Sequence, residues 1–157
     1  MLTNIYGMTV VGRDWIVKVQ SPIGYVLVYY ILGGNTVYRT DSQSVRLKKN
    51  YLYVFPTNLH YQIVSDVADP LNCIFIHLDI FPDTLTELAE IDVENIPMVK
   101  HIFEAIKIAI QQKHKSVLKM LAGAFEEYLY ESGILSRMHT SVTDTLLYIA
   151  EKKNGGI

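Results

Sequence analysis

The chain reads as a mainly β protein with helices at its C-terminal end. Two observations carry this. Short apolar runs rich in Val, Ile, Tyr and Phe recur up to about residue 81, each closed by Gly, Pro, Asn or Asp. Beyond Phe81-Pro82 the apolar spacing changes from two residues to about 3.6, the helical period.

The strands come in order. Val10-Val11, Trp15-Ile16-Val17 and Tyr25 to Leu32 are punctuated by Gly12, Ser21-Pro22, Gly24 and Gly33-Gly34-Asn35. Thr36 to Arg39, Val45 to Leu47, Tyr51 to Phe55, Tyr61 to Val64 and Cys73 to Leu78 follow. Short strands this evenly spaced predict a sandwich or a barrel. Gly33-Gly34-Asn35 can supply the positive φ angles of a hairpin turn.

In the second part Ile96, Val99, Phe103, Ile106 and Ile110 fall on one helical stripe, with Lys100, Glu104, Lys107 and Gln111 opposite. A second helix is predicted from about Ser116 to Ser132. Leu118, Leu121, Phe125, Tyr128 and Leu129 form its apolar face, and Gly133 is its cap. Ser141 and Asp144 suit the start of a third helix that Asn154-Gly155-Gly156 would end. Stripes this wide predict that a partner subunit covers part of the helical surface.

Composition excludes several function classes. The 157 residues carry a net charge of −2, so the domain lacks the basic excess that gripping DNA by itself requires. Cys73 is the single cysteine, which rules out an internal disulfide and fits a reducing cytoplasm. No apolar run approaches the roughly 20 residues of a membrane span. There is no glycine-rich phosphate loop and no Gly-x-Ser-x-Gly elbow. Histidines stand at 60, 77, 101, 114 and 139, too far apart for a paired-histidine metal motif, so neither a metal nor another cofactor is expected.

Three stretches, taken in order, carry a resemblance. They are Gly24-Tyr25-Val26-Leu27-Val28-Tyr29-Tyr30-Ile31-Leu32-Gly33, then Tyr51-Leu52-Tyr53-Val54-Phe55-Pro56 with His60, then Phe75-Ile76-His77-Leu78. Together residues 24 to 82 resemble the cupin-like arm of AraC-type transcription regulators. Thr143 to Glu151 resembles the first helix of that family's DNA-binding half, and the chain stops at Ile157 before a helix-turn-helix could form. The sequence departs from the family at Asn50-Tyr51, where a Gly-Asp pair is usual. It also departs at Lys18-Val19-Gln20-Ser21, near where a ligand-contacting arginine tends to sit.

The resemblance implies a division into three. Residues 1 to 82 would form a cupin-like jelly-roll barrel that binds a small-molecule effector, such as a sugar or related metabolite. Residues 83 to 139 would be a helical region that forms a homodimer. Residues 140 to 157 would be a linker and the start of an absent DNA-binding domain. The whole would be a cytoplasmic, non-enzymatic module that meets DNA only through its missing half. Two alternatives stand beside it: a metal-independent cupin enzyme acting on a small carbohydrate, and a dimerisation module without a ligand.

Candidate ligand-binding residues are Trp15, Lys18, Gln20, Tyr29, Tyr38, His60, Phe75 and His77. Each also has a plain structural role to weigh. His60 either lines the barrel mouth or bonds a turn. His77 shares a strand face with Phe75 and Cys73, so the three line a cavity if that face points inward. Trp15 and the tyrosines could equally be core rings, and Lys18 with Gln20 could be exposed strand residues. Cys73 reads as a buried, inert thiol. Candidate dimer residues are Val99, Phe103, Ile106, Ile110, Leu118, Leu121 and Phe125.

Overall fold

The computed structural model describes residues 6–12, 16–19, 25–57, 59–79 and 85–136. Among them are nine strands: β1 (Tyr6–Val10), β2 (Ile16–Val19), β3 (Val26–Gly33), β4 (Thr36–Arg39), β5 (Ser44–Leu47), β6 (Tyr51–Val54), β7 (Tyr61–Ser65), β8 (Asn72–Leu78) and β9 (Ala89–Asp92). A 3-10 turn, Val93–Asn95, leads into helices α1 (Pro97–Gln111) and α2 (Lys115–Glu131). The predicted third helix lies outside the described residues.

The strands form two antiparallel sheets. One has the order β1-β8-β3-β6-β9, the other β2-β7-β4-β5. Strict alternation of side chains sorts the residues into two cores. On the five-stranded sheet Leu27, Tyr29, Ile31, Tyr53, Phe55 and Cys73 face the other sheet, which contributes Tyr38, Leu47, Tyr61 and Ile63. The opposite face, with Val26, Val28, Leu52, Val54, Ile74, Ile76 and Leu78, packs against the two helices. Both faces of this sheet are therefore buried. That is why its strands read as unbroken apolar runs such as Val26-Leu27-Val28-Tyr29.

The helices are held by the stripe anticipated from sequence. Val99, Phe103, Ile106 and Ala109 of α1 and Leu118, Ala122, Phe125 and Leu129 of α2 are buried. Phe103 sits between two rings, 5.3 Å from Tyr30 of β3 and 4.9 Å from Phe125 in an edge-on contact. Helix α1 starts with Pro97 in its first turn, where the missing N–H costs nothing. Helix α2 stops at Gly133, whose φ of 81° sends the chain back so that its N–H donates to the Tyr130 carbonyl.

Three expectations are corrected. Gly33-Gly34-Asn35 does not close a hairpin, because β3 and β4 belong to different sheets. The turn carries the chain across the sandwich instead. Gly34 has a φ of 97°, and a Cβ there would lie 2.2 Å from the Pro70 carbonyl oxygen. Two neighbouring bonds fix this crossover to the β7–β8 crossover: Asn35 N–H to the Asp69 carbonyl at 2.8 Å, and Asp66 N–H to the Asn35 carbonyl at 2.9 Å. Second, β9 falls in the segment read as purely helical; its four residues pair with β6 and complete the five-stranded sheet. Third, α1 and α2 lay their stripes on this chain's own sheet, so the wide apolar faces are largely covered without a partner. The turn at Asn50 does take the left-handed conformation, with φ 66°, that asparagine tolerates.

Candidate functional site

Strand β8 sets the site. Its inward residues Cys73, Phe75 and His77 line a cavity of about 340 Å³ between the sheets. Tyr29 of β3, Thr9 of β1, Val11 and Gly12 just beyond β1, and Val17 from β2 of the other sheet complete much of the wall. Cross-strand register fixes these neighbours: Phe75 stands opposite Tyr29 on one side and Gly7 on the other.

Gly7 shapes the site through its neighbour Phe75, although nothing in the sequence reading singled it out. A Cβ at that position would come within 2.8 Å of the Phe75 ring. The glycine therefore lets the ring lie over β1. A glycine inside a strand marks such close approaches, and Gly7 sits inside Tyr6–Val10.

His77 is the most distinctive polar group here. Its ring stacks on Tyr25 with centroids 4.3 Å apart and planes 7° from parallel. The Phe75 ring lies 5.9 Å away, tilted. The Nδ1 atom is buried and has no hydrogen-bond partner among the described residues. Burial pushes the His77 pKa below its ordinary value, so the ring is neutral at physiological pH. A neutral imidazole offers one donor and one acceptor, and a buried polar atom left unpaired costs about 1–3 kcal/mol.

The other groups are chemically quiet. Cys73 is 1% exposed and burial pushes its thiol up to about 12, so it stays protonated. Burial raises the Tyr29 hydroxyl far above its ordinary range as well, with the Cys73, Tyr61 and Tyr25 groups adding to the effect. Among the described lining residues there is no carboxylate. No group of three or more His, Cys, Asp or Glu is placed to hold a metal among the described residues. This arrangement can stack a flat group and offers a few hydrogen bonds. It holds no paired acid and base among the described residues.

Of the residues assigned to a ligand from sequence, the structure brings Tyr29, Phe75 and His77 to one cavity. Tyr38 is deeper in the sandwich, 1% exposed against Phe55 and Tyr61. Lys18 and His60 are exposed and line a separate groove on the four-stranded sheet. Strand alternation explains Lys18: Val17 and Val19 pack toward the inter-sheet core, so Lys18 points away from it. Trp15 and Gln20 lie outside the described residues.

The residues assigned to a dimer from sequence are placed differently from expectation. Val99, Phe103, Ile106, Leu118 and Phe125 are at most 2% exposed within this single chain. Ile110 and Leu121 sit at the margin of the same core. The large apolar side chains that the helices do leave exposed are Met98, Ile108, Val117 and Met120.

Fold and site thus define a two-sheet antiparallel β protein with a layer of two helices and a cavity between its sheets. No family model and no curated protein matches the chain. Among solved structures it is similar to the protein YhaK from Escherichia coli, at 14% identity and a TM-score of 0.43, over 57% of this chain and 44% of that one. The chain thus spans less than half the length of YhaK. No helix among the described residues is long and apolar enough to cross a membrane.

Proposed function

We propose that this chain is the effector-sensing and dimerisation module of an AraC-type transcription regulator, its two sheets forming a cupin-like jelly-roll barrel. The observation that carries this reading is the cavity behind β8. The Phe75-Ile76-His77-Leu78 run that resembles the family motif is also the run whose alternate residues wall a half-open cavity. A volume of about 340 Å³ lies within the range of small-molecule sites, roughly 300–1,000 Å³. Its lining favours an uncharged metabolite with a flat or apolar face and one group that bonds the His77 imidazole. A sugar, which stacks a ring face and offers hydroxyls, meets that description.

In this reading the effector binds one arrangement of the barrel better than another and shifts the population between them. The helical layer transmits the change, since it shares the five-stranded sheet with the cavity. Two copies associate through the apolar side chains the helices leave exposed. DNA is met by a helix-turn-helix half outside these residues, which suits a domain of net charge −2. The protein works in the cytoplasm and catalyses nothing.

Thermal-shift screening against a metabolite library tests it. A ligand present at about a hundred times its Kd adds roughly 2.7 kcal/mol of stability. We expect at least one uncharged metabolite to raise the melting temperature of the natural chain and to lose that effect in His77→Leu. A screen without hits, or hits equally effective on His77→Leu, would count against the proposal.

A further inference from the structure

The outer face of the four-stranded sheet carries a second set of aligned polar groups. Register places Gln62 of β7 directly between Lys18 of β2 and Arg39 of β4. All three are exposed and point away from the inter-sheet core. Strand spacing sets the Lys18 and Arg39 backbones roughly 10 Å apart, so both long side chains reach a group held over Gln62. Arg46 of β5 lies on the same face, diagonal to Arg39, within roughly 7–8 Å. Lys18, Arg39 and Arg46 make no ion pair and no side-chain hydrogen bond to a described residue. Lys18, Arg39 and Gln62 line a groove of about 610 Å³, with His60 at its side and Asp41 in the turn after β4.

We propose that this groove is a phosphate site, distinct from the cavity between the sheets, and that it takes a small phosphorylated metabolite. The chemistry follows from the row. An arginine fork and an ammonium converge on one oxyanion, and the Gln62 amide offers it an N–H. Two lining cations, Lys18 and Arg39, with Arg46 on the same face beside the groove, match a dianionic phosphate better than a monoanionic carboxylate. Asp41 is the acidic residue among the described lining, and it opposes binding.

The site has a mechanical consequence. Strand β2 is an edge strand that pairs only with β7 in its sheet. Lys18 lines the groove while the preceding residue, Val17, lines the cavity between the sheets. A phosphate bridging Lys18 and Arg39 ties β2 to β4 across β7, and so steadies the cavity wall. The groove therefore supplies a second input to whatever binds inside.

Calorimetric titration of the full chain with inorganic phosphate, at matched ionic strength against chloride, acetate and succinate, tests this. Saturable phosphate binding is expected, weakened about tenfold by Arg39→Gln and several-fold by Lys18→Gln, the loss of one charge-assisted bond each. Asp41→Asn is expected to tighten binding, a gain that misfolding cannot imitate. The proposal is overturned by any of three results: no saturable binding, equal binding of phosphate and succinate, or affinity unchanged in both cation variants.

Discussion

Replacing Phe103 by alanine separates two roles for the helical layer. The ring is 1% exposed and touches Tyr30 of β3 and Phe125 of α2, at 5.3 and 4.9 Å between centroids. Truncating a buried phenylalanine costs about 3–5 kcal/mol, from lost transfer energy and the cavity left behind. This site should reach the upper part of that range, because two aromatic contacts disappear and the facing residues are held by a sheet that cannot collapse. Domain stability is typically only about 5–15 kcal/mol, so the loss is a large fraction of the total. Urea unfolding, followed at two protein concentrations about twentyfold apart, reads it out. The account predicts a fall of at least 3 kcal/mol that is the same at both concentrations. A fall below about 1 kcal/mol, or one seen only as a change of oligomeric state, would refute the placement of Phe103 in this chain's own core.

Other outcomes follow from the same geometry. Gly34→Ala should destabilise by more than about 2 kcal/mol, since a left-handed backbone and a contact with the Pro70 carbonyl coincide there; thermal unfolding checks it. Acidification should destabilise the protein through His77. Its folded pKa is depressed, so stability is full above the ordinary value near 6.5 and is lost as pH falls from there toward the folded value. Denaturation from pH 7 downward should show that slope, and His77→Gln should flatten it. Cys73, with its thiol pushed up to about 12, should alkylate far more slowly in the native protein than in denaturant; equal rates would contradict its burial. Met120→Glu, at a position 76% exposed, should weaken self-association in sedimentation while leaving the unfolding midpoint within about 0.5 kcal/mol of the natural chain's.

Most of the strands were legible because their runs are rich in β-branched and aromatic residues and each break carried a turn residue. The run Tyr61–Ser65 is one of them, with Tyr61, Ile63 and Ser65 buried and Gln62 and Val64 turned outward. Both helices were legible from period instead, since Val99, Phe103 and Ile106 of α1 and Leu118, Phe125 and Leu129 of α2 repeat at helical spacing. Strand β9 was not, because Ala-Glu-Ile-Asp has no β-branched majority and owes its conformation to pairing with β6. Sheet membership was also hidden. A glycine turn reads alike whether it closes a hairpin or crosses between sheets, and only the partners of β3 and β4 decide it.

The candidate site divides in the same way. Phe75 and His77 were legible because alternation ties them to Cys73, leaving only the sign of the face open. Lys18 was misplaced because position relative to a family motif does not fix which face a strand residue takes, whereas its neighbours Val17 and Val19 do. The helical stripes marked buried residues correctly, yet burial alone does not say whether the cover is a sheet or a second subunit. Here the outward face of β3, β6 and β8 supplies it.

Everything in the proposed function depends on a small molecule binding behind β8. Nuclear magnetic resonance of the His77 imidazole, with a thermal-shift hit titrated into the full chain, tests this most directly. The His77 and Phe75 ring signals are expected to move together and to saturate at the Kd that the thermal shift implies. Ligand-induced changes confined to the helices or to the Lys18–Arg39 groove, with the His77 ring unmoved at saturation, would contradict it.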